Sequence, residues 1–294
     1  VDQAGAIREI MREGAPLAMR RKKSHDETRV IAVTSGKGGV GKTNITANFA
    51  YLLSRMGKKA LLLDADAGLA NIDVILGITP NYNLCHVLRG EKTLREVIVN
   101  GPGGIKILPS ASGIQEMAEL SKGHKLTLLD ELDGLDENID FMLIDTAAGI
   151  TGNVMYFNMA AKEVIVVVST EPTSLTDAYA LIKILCQAYR TQRFMLLVNM
   201  AKDSTEAKEV YLRLNNATNH FLSLPIEYLG YIPYDQDVPK AVKKQRLLVE
   251  SFPDSKAARS MAEIVEKLCR KRPEGYENGT IKFFDRSVVE NNGR

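Results

Sequence analysis

The sequence has no tryptophan, few aromatic residues (6%) and three cysteines, Cys85, Cys186 and Cys269. The cysteines stand far apart and form no C-x-x-C pair. That excludes the usual spacings of a structural zinc or iron–sulfur site, and reduced, cytosolic thiols are expected. No apolar run approaches the ~18–20 residues needed to span a bilayer. The first residues are polar and charged and do not read as a secretory signal. An excess of one charge is also missing: 38 Lys and Arg against 36 Asp and Glu give +2. That balance argues against a general nucleic-acid coat and leaves only local basic patches.

What is present is an ordinary globular composition, 45% hydrophobic and 25% charged over 294 residues. It excludes wholesale disorder and is ample for a buried core. The chain reads as three pieces. Residues 1–29 are a polar tail with a short helical pattern and a basic run, Arg20-Arg21-Lys22-Lys23. Residues 30–272 alternate apolar runs with amphipathic stretches. Residues 273–294 form a Gly/Asn-rich linker followed by Ile281, Phe284 and Val288, which share a face if helical. No internal repeat is visible.

Strands are expected at 30–34, 60–63, 105–108, 141–144, 164–168, 194–198 and 228–232. Most are continuous apolar runs, as suits strands covered on both faces of a parallel sheet. Helical spacing marks 43–56, 176–189 and 256–269. The alternation predicts an α/β fold: a doubly wound, mainly parallel sheet flanked by helices. Ligands of such sheets bind at the carboxyl ends of the strands.

The informative residues fall at those ends. After the first strand comes Gly36-Lys37-Gly38-Gly39-Val40-Gly41-Lys42-Thr43, then Asn44 and a helix. This is G-x-x-x-x-G-K-[ST] in strand–loop–helix context. Glycines let the backbone wrap a phosphate chain and aim its N–H groups inward. The helix adds the positive end of its dipole. Lys42 reaches the β- and γ-phosphates, and Thr43 offers a hydroxyl to Mg2+. A second strand ends in Asp64-Ala65-Asp66, and a third in Asp145-Thr146-Ala147-Ala148-Gly149. Carboxylates so placed can hold Mg2+, directly or through water, and orient an attacking water.

Lys37 is a second cation that an ordinary phosphate loop does not need. With it, K-G-G-x-G-K-T resembles the deviant Walker A loop of the MinD/ParA family of dimerising ATPases, a SIMIBI-class P-loop NTPase group. The resemblance covers roughly residues 30–270. It implies ATP/ADP and Mg2+ as ligands and a homodimer in the ATP state. Lys37 would reach the partner's nucleotide and act with Lys42 and Asp66 in catalysis. Asp66 would position the attacking water, with Asp64 in a supporting role near Mg2+ beside Thr43 and Asp145. The string from Asp64 through Asn71 looks like that family's switch I. The string from Asp145 looks like switch II, with Gly149 sensing the γ-phosphate through its N–H. Asn199, Pro233 and Asp235 resemble places that hold the purine ring. No N-K-x-D guanine signature stands at 199–202, which favours adenine.

Asp2-Gln3-Ala4-Gly5-Ala6-Ile7-Arg8 is similar to the DQAxxLR element of the family's flagellar-number regulators, with Ile7 for the usual Leu. Ala70-Asn71 and Pro109-Ser110-Ala111-Ser112-Gly113 also look like that branch. The resemblance implies slow, partner-stimulated ATP hydrolysis. It also implies that Asp2, Gln3, Ile7 and Arg8 activate the signal-recognition-type GTPase FlhF. Further implied partners are flagellar C-ring proteins and a flagellar transcription regulator. The implied location is the cytoplasm, with ATP-dependent peripheral association with the inner face of the cell membrane through the C-terminal segment, for which folding back on the domain is the other reading. Three other roles stay open: MinD-like selection of the division site, ParA-like DNA partitioning, and a passive nucleotide-binding module.

Overall fold

The computed structural model describes residues 28–66, 71–110, 120–135, 139–161, 163–189, 191 and 193–271. The tail residues Asp2, Gln3, Ile7 and Arg8, the basic run 20–23, the switch I residues 67–70, Ala111-Ser112-Gly113 and the C-terminal segment lie outside them.

Among the described residues, eight strands form one sheet in the order β3-β4-β2-β5-β1-β6-β7-β8. They are β1 (Arg29–Ser35), β2 (Ala60–Ala65), β3 (Val99–Asn100), β4 (Lys106–Leu108), β5 (Phe141–Ala148), β6 (Glu163–Val168), β7 (Phe194–Ala201) and β8 (Glu227–Pro233). All pairings are parallel except β3 with β4. β1 lies at the centre between β5 and β6, every one of its residues buried. The continuous apolar runs therefore have their expected cause, since helices cover both faces.

The flanking helices are α1 (Lys42–Arg55), α2 (Ile72–Leu76), α3 (Leu84–Leu88), α4 (Leu94–Val97), α5 (Lys122–Asp133) and α6 (Gly152–Ala160). They continue with α7 (Pro172–Tyr189), α8 (Ser204–Leu222), α9 (Asp237–Lys243), α10 (Leu248–Ser251) and α11 (Lys256–Arg270). On one face α1 and α11 pack side by side, joining Ile45, Phe49 and Leu53 to Met261, Ile264 and Val265 in a core with the sheet. The other face carries two cores. One is built with α3 to α6 around β2 and β5, the other with α7 and α8 around β6 and β7.

Three elements differ from those expected. The helix expected from 176 begins at Pro172, because proline's fixed φ suits a first helical turn. The strand expected at 141–144 runs on to Ala148, with its last two residues half-buried. β3 has only two residues, too short for any periodicity to show.

Arg29 ties the two ends of the described fold together. Its guanidinium grips both carboxylate oxygens of Glu163 at 2.9 and 2.8 Å. It also donates to the carbonyls of Leu268 and Lys271 at 2.5 and 3.0 Å, at the last turn of α11.

Candidate functional site

The sheet reverses its winding about β1, and the phosphate loop leaves β1 at that switch point. Gly36 passes so close to α7 that an added Cβ would sit 2.2 Å from the Asp177 carbonyl carbon. Gly41 has φ +92°, and its Cβ would meet Asn199 Nδ2 at 2.5 Å. Gly39 also has positive φ and, with Gly38, is exposed with open space around it. Two glycines thus answer to close approach, and two leave the loop's concave side clear. Val40 is buried as the loop's apolar anchor.

Ser35, which the sequence reading did not single out, is the hub. Its hydroxyl donates to the Lys37 carbonyl at 2.6 Å and accepts from Lys42 Nζ at 2.9 Å. Its carbonyl accepts from the Gly149 N–H at 2.9 Å. Gly149, with φ +93°, therefore has its N–H already bonded, so sensing a phosphate requires that bond to open. The sequence signal of Ser35 was only its position, directly before the loop.

Lys42 is buried, and desolvation pulls its pKa down against the pull of Asp145 and Asp66. Asp64 and Asp145 stand opposite each other on neighbouring strands. Both are 1% exposed. Burial, with Asp145 beside it, holds the Asp64 carboxyl well above the usual range, even though Asp64 Oδ1 accepts from the Asp66 N–H at 3.0 Å. Burial pushes Asp145 to about 7, with hydrogen bonding from Thr43 and the charge of Lys42 pulling back. Thr46 Oγ1, a second residue missed in the sequence, lies 3.4 Å from Asp145 Oδ1. Asp145 Oδ2 is buried with no hydrogen-bond partner.

These are the marks of a site short of positive charge, and they fit Mg2+. A shielded carboxylate oxygen waits for a donor or cation, and two carboxyls hold protons above their usual pKa. Among the described residues no three acidic, His or Cys side chains converge as a ready-made cage. Mg2+ at a nucleotide keeps waters and shares phosphate oxygens, so few side-chain ligands are needed to hold it.

Lys37 takes different partners from the buried Lys42 and is more exposed. Its Nζ donates to Glu171 Oε2 at 2.5 Å and Thr173 Oγ1 at 3.0 Å, at the start of α7. Both charged side chains are open to solvent. Asn71 precedes α2 and accepts the Ile75 N–H on its carbonyl at 2.9 Å.

Two residues expected at the purine make bonds within the protein. Asn199 ends β7, and its Nδ2 donates to the Val40 carbonyl at 2.8 Å, clamping the phosphate loop. Asp235 accepts from the Asp237 N–H at 2.9 Å and the Ala257 N–H at 3.0 Å, so both oxygens cap helix starts. Those backbone bonds, set against some burial, lower its pKa. Pro233 ends β8 opposite Ala201, and Tyr234 beyond it is exposed.

Comparison with known proteins shows the family. A family model described as "AAA domain" matches residues 28–198. The antiactivator FleN of Pseudomonas aeruginosa is 44% identical over 272 residues, covering 92% of this chain and 97% of that protein. The chain belongs to the FleN/FlhG group of MinD/ParA-type ATPases. The flagellum site-determining protein YlxH of Helicobacter pylori is 34% identical over 290 residues and 97% of each chain. Among solved structures, the septum site-determining protein MinD of Pyrococcus horikoshii, complexed with Mg-ADP, superposes with a TM-score of 0.68 at 28% identity. That match covers 82% of this chain and 96% of the other.

Proposed function

We propose that this protein is an ATP-dependent dimerising ATPase that regulates the number or placement of flagella. The observation that carries the switch reading is one loop whose two lysines take different partners, one buried and one open to solvent. Lys42 is buried beside Asp145, and Lys37 is displayed outside on an exposed acidic partner. Surface ion pairs of that kind are worth ~0–1 kcal/mol. Lys37 can therefore leave Glu171 at little cost for the nucleotide of a second subunit. The flagellar reading is supported by FleN and YlxH, whose matches span nearly the whole chain.

Gly36 to Asn44 wrap the triphosphate, with Lys42 on its β- and γ-groups. Thr43 and Asp145 would hold Mg2+, which when bound neutralises charge on the phosphates. Burial, with the charge of Asp66, keeps Asp145 near protonation until the cation's charge arrives, and Asp64 supports it from the neighbouring strand. Asp66, half-buried at the end of β2, orients the attacking water. The Gly149 N–H exchanges the Ser35 carbonyl for the terminal phosphate, and loss of that phosphate restores the Ser35 bond. Asn71 carries switch I into α2. Asn199 steadies the loop from below, and the backbone after Pro233 borders the base.

Hydrolysis is slow until a partner completes the site. In the dimer, residues 1–23, with Asp2, Gln3, Ile7 and Arg8, stimulate FlhF. The C-terminal segment adds weak membrane contacts that dimerisation doubles. C-ring proteins and a transcription regulator are the remaining partners, the latter supported by the name antiactivator.

The test is GTP hydrolysis by a flagellar signal-recognition-type GTPase, with and without a peptide of residues 1–23. Stimulation that disappears with Gln3→Ala supports the flagellar role. If neither the peptide nor the full-length protein in ATP stimulates, the pathway returns to MinD-like division-site selection or ParA-like partitioning.

A further inference from the structure

Asn48 lies one turn beyond Asn44 on α1 and is fully buried. Its Oδ1 accepts the Val249 N–H at 3.0 Å. A backbone N–H is only a donor, so this bond fixes which way the Asn48 amide faces. Its Nδ2 must then point at Asn44, where it donates to the carbonyl at 2.7 Å and to Oδ1 at 3.2 Å. The Asn44 amide is fixed in turn: Oδ1 faces Asn48, and Nδ2 faces away. That Nδ2 is shielded from solvent and meets no acceptor. It sits in the first turn of a 14-residue helix whose N-cap, Gly41, supplies no side-chain cap and whose first turn has no acidic residue. The open backbone donors there and the unpartnered amide both call for an anion. Asn44 is two residues past Lys42, hence on a different side of the helix from the Lys42–Asp145 pair. With Lys42 on the β- and γ-groups, the phosphate left for that side of the first turn is the α-phosphate.

We propose that Asn48 is a positioning residue: anchored by the Val249 N–H, it turns the Asn44 carboxamide so that its NH2 group binds the nucleotide's α-phosphate. This rests on the nucleotide-binding reading of the loop. It adds a polar relay from α10 through α1 to the phosphate, and it makes the affinity for nucleotide depend on a residue that never touches it.

Binding of Mg2+ with ADP, and with the two diastereomers of ADP carrying sulfur on the α-phosphate, tests this by calorimetry on the full chain. Variants are Asn44→Ala, Asn48→Ala, their double, and Asn48→Asp, which keeps the volume and the Val249 bond but draws the Asn44 NH2 towards itself. Wild-type binding of ADP checks the nucleotide reading separately. If it is absent, that reading fails and this one with it. If it is present, Asn44→Ala should weaken ADP about tenfold and bring the diastereomer affinities together. Asn48→Ala and Asn48→Asp should do the same in kind, and Asn48→Ala should add nothing to Asn44→Ala. A folded Asn44→Ala protein that keeps the diastereomer ratio overturns the α-phosphate contact. Equal losses from Asn48→Ala in both backgrounds overturn the relay. If Asn48→Ala does not fold, Asn48→Asp decides: an unchanged ratio there refutes the relay.

Discussion

Replacing Asp145 by Asn should make the nucleotide-free protein more stable while stripping it of Mg2+-nucleotide stabilisation. Burial raises this carboxyl from an ordinary 3.8 to about 7 in the folded chain. The folded state therefore holds the proton more tightly than the unfolded one. The resulting contribution to stability is complete below about pH 4 and is lost as pH climbs through about 7. The gap corresponds to roughly 4 kcal/mol. Asp64 stands opposite with its own carboxyl raised, so the two titrate as a pair. Asn cannot ionise and so avoids that loss, but it buries an amide NH2 at a cost of ~2 kcal/mol, which leaves a gain of ~2 kcal/mol, or about 4–8 °C in melting temperature at pH 8. The gain should shrink towards pH 5. With ligand at a hundred times Kd the wild type gains about 2.7 kcal/mol, and the variant should gain much less, so the two melting curves cross. The assay is thermal unfolding by circular dichroism at pH 5, 6.5 and 8, with and without Mg2+ and ADP, since there is no tryptophan to report fluorescence. A variant that melts below wild type at pH 8 without nucleotide would refute the reasoning, as would a wild type equally stable from pH 5 to 8.

Gly41→Ala places a Cβ 2.5 Å from Asn199 Nδ2 at a backbone φ of +92°. It should weaken ADP binding at least about tenfold, and calorimetry showing wild-type affinity would contradict the clamp. Lys37→Ala should leave the melting temperature within about 2 °C, because its ion pair is exposed. It should nevertheless abolish the ATP-dependent change in mass by light scattering. Arg29→Ala leaves Glu163 buried without its partner and strips a donor from the Leu268 and Lys271 carbonyls. Urea unfolding should show a loss of about 3–5 kcal/mol, and a loss under 1 kcal/mol would show that α11 is held by other means.

The phosphate loop was legible because its chemistry is local: eight consecutive residues between a strand and a helix carry the whole signal. The parallel sheet was legible because strands covered on both faces need unbroken apolar runs. Asp64 and Asp145 were each visible at a strand end, but their pairing is a matter of register, set by β2 lying beside β5. Long-range polar contacts were not legible. Nothing local shows that Asn199 will hold the Val40 carbonyl, or that Arg29 will reach across to Glu163 and α11. Asp235 shows the same limit. An Asp after a strand reads as a ligand contact or a cap, and only the arrival of α11 settles both oxygens on backbone N–H groups. Ser35 carries no motif of its own, yet it joins Lys42, Lys37 and Gly149 because the first strand delivers it beneath the loop.

The central claim is that ATP closes two copies of this chain around their nucleotides. The most direct measurement is the solution mass of Asp66→Ala in Mg2+ with ATP, by light scattering beside the same protein in ADP. The account predicts a mass twice the 32.4 kDa chain in ATP and a single chain in ADP, with the ATP dimer lost when Lys37→Ala is added. An Asp66→Ala protein that binds ATP and stays a monomer would contradict it.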